Sequence, residues 1–236
     1  MASEVVNKLV VRFDDTEVVE EFLEMIKGND PSRDEVIDFN IIVPMPKELE
    51  DTISGSMQWK SLYYYTNQTN QRDAIPEMES LLYSSMSEWI EDDEPDKLAE
   101  YMAVGELYFN NYMKYGATDW YMWRNKYWGT KQNAYNSYIV KESKNSVAIY
   151  FTTAWDGVPY LMEILISLFP ELEFTYKFAD ENIACNCGEG QSNSEGEFIF
   201  NIVEDNSIEA LRLYCECWGR EPKDFTDDLD SDEDEE

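Results

Sequence analysis

Histidine is absent from all 236 residues. Its absence removes the commonest general base, the commonest metal ligand and every Ser–His or Cys–His nucleophile pair, and most hydrolase chemistry falls with them. Basic residues are scarce: 18 Lys and Arg stand against 50 Asp and Glu, a formal net charge of −32. That balance weighs against nucleic acid, acidic membranes or any polyanion as a direct ligand and favours a basic partner. No run approaches the roughly 18 apolar residues of a bilayer span. The first residues, "MASEVVNKLV", lack the basic start and apolar stretch of a secretion signal, so a cytoplasmic location, without membrane, is expected.

Cysteine is limited to four residues, arranged as C-x-C twice, Cys185 with Cys187 and Cys215 with Cys217. Four thiolates suffice for a structural zinc. A strand would put Cys185 and Cys187 on one face, but a helix would set Cys215 and Cys217 about 200° apart. Buried or free thiols of a reducing compartment are the favoured reading, with no metal and no cofactor. Carboxylate-only chemistry survives the loss of histidine, yet among 50 acids a pair such as Asp14 and Asp15 arises by chance and singles out no catalytic residue. The chain is not expected to be an enzyme.

What the sequence does contain is an uneven distribution of charge. Residues 1–111 carry 25 acids and 8 bases, net −17; residues 112–144 carry 2 against 6, net +4; residues 145–220 carry 13 against 3, net −10; the tail from Glu221 carries 10 against 1, net −9. The tail, "EPKDFTDDLDSDEDEE", offers too little apolar surface to offset the entropy of ordering it and reads as a disordered acidic arm over 221–236. The positive segment holds "DWYMWRNKYWGTKQNAYNSY". On a helix Trp120, Trp123, Tyr127 and Trp128 would cover one side and serve as core. The other reading of that island is a stacking platform or ligand cleft lined by Trp123, Arg124, Trp128 and Lys131. Polyanions would meet the field of the acidic remainder before reaching it.

Hydrophobic patterning predicts alternating elements. Val5 to Phe13 reads as a half-buried strand, and Thr16 caps a helix over "EVVEEFLEMIKG" closed by Gly28,. Val36 to Pro46 reads as a second strand ending at its prolines. From about 47 to 116 the spacing becomes helical and aromatic, with Trp89, Tyr101, Leu107 and Tyr108 forming a core stripe, Pro95 opening a helix and Gly116 closing it,. Ser146 to Trp155 is strongly β-forming, "GVPYLMEILISLFP" is an apolar helix, two or three strands follow, and "SIEALRLYCECWG" is a last helix,. Two strand–helix–strand units of this kind predict an α+β, ferredoxin-like antiparallel sheet with helices on one face. One domain over 1–220, an all-helical insertion at about 47–116 and the disordered tail complete the expected architecture.

The segments "DFNIIVPMPKEL", "WRNKYWGTKQNA" and "FTTAW…FPELEF", in this order between Val36 and Gly188, resemble the YubB-like ferredoxin-like domain family of plasmid and phage proteins. The resemblance implies a ferredoxin-like fold and a mobile-element origin, and no established enzymatic activity. Joined to the charge, it suggests an interaction protein that occupies the basic, nucleic-acid-binding surface of a host defence protein. Carboxylates on a rigid surface would imitate backbone phosphates. The acids best placed are Glu91, Asp92, Asp93, Glu94 and Asp96 in the insertion, helped by Asp227, Asp228 and Asp230 in the tail. Two other readings stand beside it: a small nucleotide-like ligand held in the cleft between sheet and insertion, and an inhibitor that blocks an assembly surface by shape.

Overall fold

A computed structural model of the chain describes residues 3–28, 34–76, 90, 95–193 and 195–221. They fall into two compact units, Met1–Pro44 with Tyr127–Glu236, and Met45–Lys126. Among the described residues, no helix is long and apolar enough to cross a membrane.

The first unit is built on an antiparallel sheet. Its strands are β1 (Glu4–Arg12), β2 (Tyr135–Ser143), β3 (Ser146–Ala154), β4 (Glu173–Asp180), β5 (Cys187–Ser192) and β6 (Phe198–Val203), in the order β2-β3-β1-β4-β5-β6. Helix α1 (Thr16–Lys27) follows β1, and a helix at Pro159–Ser167 joins β3 to β4. The run β2-β3-β1-β4 with these two crossovers is the ferredoxin-like arrangement. β5 and β6 widen the sheet by a hairpin beyond β4.

Register explains which residues face which layer. Val5, Leu9 and Val11 stand opposite Thr153, Ile149 and Val147 on one side, and Leu9 stands opposite Tyr176 on the other. Alternation therefore puts Leu9, Phe151, Phe174, Tyr176 and Phe178 on one face of the sheet. Phe22 of α1 meets Phe174 there at 5.6 Å and Phe169 at 5.1 Å between ring centroids. β5 contributes Gly188 to the same face, because a Cβ there would stand 2.6 Å from Phe200 and 2.7 Å from Phe178. The two rings stack with centroids 6.0 Å apart in the space left open.

The last helix, Ile208–Trp218, packs on the opposite face against Val6, Ala179, Cys187 and Val203. Ser207 caps its start by accepting from Ala210 N, and Gly219 ends it in the left-handed conformation at φ 63°,.

The second strand predicted at Val36–Pro46 is not a strand. Phe39–Ile42 form a single helical turn, α2. Asp38 accepts from Asn40 N at 2.9 Å and from Asn133 Nδ2 at 2.6 Å, while Phe39 N donates to Asn133 Oδ1 at 2.9 Å. Local side-chain bonding of this kind outweighs β propensity. The strand that completes the first strand–helix–strand unit is β2, whose polar sequence and exposed position hide it from periodicity. The island at 119–138 is accordingly split: Trp120–Tyr127 are helical, and Tyr135 onwards enters β2. The cap of α1 also differs by one residue, since Asp15 accepts from Glu17 N and Thr16 is already helical.

The second unit is helical, as expected of the insertion. It contains Lys47–Glu50, Ser56–Gln68, Pro95–Tyr115 and all but the last residue of Trp120–Tyr127, with a short 3-10 turn at Arg72–Ala74. The two longest helices pack through Gly105, where a Cβ would lie 2.2 Å from the Ser61 carbonyl oxygen and 2.5 Å from Tyr65 Cβ. Of the expected aromatic stripe, Tyr101 and Tyr108 are buried at 2% and 4%, but Leu107 is 53% exposed. Tyr108 is held inward because its hydroxyl both accepts from Ile53 N and donates to Ile53 O, which turns Leu107 to the outer side. Trp89 lies outside the described residues.

Candidate functional site

Helix α1 presents the clearest candidate surface of the first unit. Its sequence, TEVVEEFLEMIK, buries Val19, Phe22 and Ile26 and leaves Glu17, Glu20, Glu21 and Glu24 exposed. Positions i, i+3, i+4 and i+7 fall on one side of a helix, so the four carboxylates form a single ridge. The rise of about 1.5 Å per residue spaces four charges over about 10.5 Å. The axial steps are uneven, about 4.5, 1.5 and 4.5 Å, and only their mean is close to the about 3.4 Å per phosphate along one strand of B-DNA.

The ridge is rigid for identifiable reasons. Asp15 caps the helix, Gly28 closes it with its N–H donating to Met25 O, and Phe22 anchors the buried side against two aromatic rings, Phe169 and Phe174. The exposed Asp14 and Asp15 extend the negative surface past the helix start. Among the described residues no cation pairs with any of the four glutamates. Three glutamates elsewhere on the unit are held by cations: Glu142 by Lys8 at 3.0 Å, Glu189 by Arg212 at 2.9 Å and Glu216 by both Arg212 and Lys177. Sequence reasoning missed this ridge because it read α1 for its apolar face alone. The spacing E-V-V-E-E-F-L-E was the available signal.

Of the acids expected to bind a partner, Glu91, Asp92, Asp93 and Glu94 and the tail residues Asp227, Asp228 and Asp230 lie outside the described residues. Asp96 is exposed in the first turn of the Pro95–Tyr115 helix, where an acid suits the helix dipole,.

The four aromatic and basic residues of the island are divided between the two units. Trp123 and Arg124 belong to the helical unit; Trp123 is 5% exposed, and the Arg124 guanidinium lies 5.2 Å from the centre of the Trp120 ring. Burial pulls the Arg124 pKa down from its ordinary value despite nearby Glu50. Trp128 and Lys131 belong to the sheet unit. Trp128 is 1% exposed, donates from Nε1 to Val43 O at 2.9 Å and meets Phe39 edge-on. Lys131 sits 4.0 Å from the centre of the Trp155 ring. These rings are packed as core or engaged by the protein's own cations, the structural reading of the island.

The cysteines divide in the same spirit. Cys187, Cys215 and Cys217 are buried and Cys185 is half-buried. Burial pushes the thiols of Cys187 and Cys217 up to about 12. Protonated thiols in an apolar layer behave as small hydrophobic residues. Among the described residues no group of three or more His, Cys, Asp or Glu is placed to hold a metal ion.

Comparison with known proteins gives a family description for part of the chain. Residues 134–225 match the model of the ferredoxin-like domain in Api92-like protein. No curated protein matches the sequence. Among solved structures, the crystal structure of a protein api92 from Yersinia pseudotuberculosis covers 88% of this chain and 100% of its own, at 7% identity and a TM-score of 0.40. The family match starts one residue before β2 and takes in β2 to β6 with the two helices between and after them. That part of the chain is similar to the ferredoxin-like domain in Api92-like protein, which is the level at which the resemblance seen in the sequence holds.

Proposed function

We propose that this chain is a non-enzymatic interaction protein that occupies the basic, nucleic-acid-binding surface of a host protein, acting as a nucleic-acid mimic. The observation that carries the reading is the ridge of Glu17, Glu20, Glu21 and Glu24: on one side of a capped helix, with no pairing cation among the described residues, and with a mean axial density of charge close to that of phosphates along a strand,. A net charge of −32 surrounds the ridge with a field that attracts cationic surfaces and repels competing polyanions,. Asp96, the acids at 91–94 and the tail acids at 227, 228 and 230 add to that field. The resemblance of "WRNKYWGTKQNA" to the YubB-like domain family of plasmids and phages supports a mobile-element origin. In that setting the host protein is a defence component and the complex forms in the host cytoplasm.

A competition experiment tests the reading. A fluorescein-labelled DNA duplex is bound to a synthetic arginine-rich peptide, and the protein is titrated in at moderate salt. The reading expects the duplex to be released, and released less readily by a variant with Glu17, Glu20, Glu21 and Glu24 changed to Gln. Failure of the wild-type protein to displace the duplex at any concentration up to tens of equivalents overturns it.

A further inference from the structure

The two edges of the sheet are finished differently. At β2 the ladder with β3 shifts register twice, between Tyr135 and Tyr138 and again between Lys141 and Ser143. The Glu35 carboxylate also accepts from Asn136 N at 3.1 Å and from Ser137 N at 2.6 Å. Register shifts and a side chain laid on edge amides both close an edge against a further strand. β6, at the opposite edge, carries no such closure among the described residues. It pairs with β5 in unbroken register from Phe198 with Ser192 to Val203 with Cys187, and its sequence FIFNIV holds neither proline nor a charged residue.

The alternation of the ladder fixes which backbone groups are left over. The β5–β6 hairpin closes with Asn193 N donating to Glu197 O, and hydrogen-bonded pairs recur at every second position of an antiparallel ladder. Ile199, Asn201 and Val203 therefore bond back to β5, and Phe198, Phe200 and Ile202 turn their N–H and C=O groups outward. Side chains give this edge two unlike faces. Phe198 and Phe200 stack at 5.8 Å beside Tyr176 and Phe178, and Ile202, 66% exposed, ends that apolar row. On the other face a groove of about 340 Å³ lies between the end of β6 and the start of the last helix, with Glu189, Glu204 and Glu209 in its walls. Arg212 holds Glu189 at 2.9 Å and stands 3.9 Å from Glu209, while among the described residues no cation pairs with Glu204.

We infer that β6 receives an extended segment of the basic partner as a further antiparallel strand, with apolar residues against Phe198, Phe200 and Ile202 and cations on the side of Glu204 and Glu209; the inference rests on the proposed function. Strand addition satisfies the outward N–H and C=O groups, and the alternation of side chains supplies selection. A segment that alternates Lys or Arg with apolar residues fits both faces at once. A second copy of this chain does not, because it would bring Glu204 and Glu209 of one molecule towards the same acids of the other, in a chain of net charge −32,. The α1 ridge supplies long-range attraction, and β6 supplies register.

The test uses the whole protein labelled with ¹⁵N and the capped peptide acetyl-Lys-Val-Lys-Val-Lys-Val-Lys-amide as the probe. In the free protein the amides of Phe198, Phe200 and Ile202 should exchange with solvent faster than those of Ile199, Asn201 and Val203. Saturating peptide should slow the three outward amides about 10-fold or more. N-methylation of the peptide's valines, whose N–H groups would bond to β6, keeps its charge and should weaken binding about 5-fold or more. Ile202→Pro should weaken binding by a similar factor, since it removes an outward donor and no bond of the β5–β6 ladder. Ile202→Lys, a second variant that keeps the backbone intact, sets a cation on the edge and should weaken binding about 3-fold or more. Outward amides already protected in the free protein overturn the inference, and sedimentation then shows whether a second copy or the chain itself covers the edge. Equal binding of the methylated peptide, or affinity unaltered in both Ile202 variants, overturns it as well. If the edge fails in this way while the arginine-rich peptide still leaves DNA for the protein, strand addition is wrong and the broader reading stands.

Discussion

The hydroxyl of Tyr176 donates to Asn7 Oδ1 at 2.5 Å and accepts from Val158 N at 2.7 Å, fully buried at the centre of the sheet. Asn7 in turn donates from Nδ2 to Thr153 Oγ1 at 2.8 Å. One network thus ties β1, β3 and β4 to the start of the helix that follows β3. Burial holds the Tyr176 pKa well above its ordinary value, so the hydroxyl remains a donor throughout the working pH range.

Removing that hydroxyl strands two buried groups, the Val158 N–H and the Asn7 amide oxygen. Tyr176→Phe should cost roughly 2–4 kcal/mol, since each orphaned buried group costs about 1–3 kcal/mol. Urea denaturation followed by circular dichroism measures it. A loss under about 0.5 kcal/mol would show that the network is not integral to the sheet.

Cysteine chemistry offers a second check. With the thiols of Cys187 and Cys217 raised to about 12 and Cys215 buried, the native protein should react with iodoacetamide at Cys185 first. Mass spectrometry of a time course at pH 8 should show one adduct well before the remaining three, which follow on unfolding. Simultaneous labelling of all four would contradict the buried placement.

Glu216 links charge to pH. Burial pushes its carboxyl up, but hydrogen bonds and charge from Lys177 and Arg212 outweigh that and leave it below its ordinary value. A lowered carboxylate pKa contributes stability that is present above the ordinary value near 4.5 and lost as pH falls through the folded value,. Wild type should therefore exceed Glu216→Gln by about 0.5–1 kcal/mol at pH 7, solvent screening keeping the effect small. The difference should vanish as pH falls through the lowered folded value,. Comparing the two proteins cancels the general relief of acidic repulsion, and a gap that widens on acidification would reverse the assigned sign.

Much of the sheet unit was legible because its central elements are apolar with the right period. "VVNKLVVRF", "SVAIYFTTAW" and the helix opened by Pro159 carry their structure in composition. β2 was illegible for a physical reason: as an edge strand it keeps Asn136, Tyr138 and Lys141 exposed, and nothing forces alternation on it. Val36–Pro46 misled because its apolar residues serve a capped turn, and the caps come from Asn133, far away in sequence. The acidic ridge was written plainly in α1, but 50 acids conceal any one pattern until the fold shows which of them share a rigid side and meet no counter-charge among the described residues.

The central claim is that the exposed carboxylates of α1 bind cations as a phosphate row does. The most direct measurement is the affinity of a fluorescent arginine-rich peptide for the wild-type protein and for the Glu17, Glu20, Glu21, Glu24→Gln variant, over sodium chloride from about 50 to 300 mM, a range in which exposed charges become strongly screened. The account predicts micromolar or tighter binding at the low end that falls steeply with salt, together with weaker binding and a shallower slope in the variant. Equal affinity and equal slope for the two proteins, or wild-type binding indifferent to salt, would contradict it.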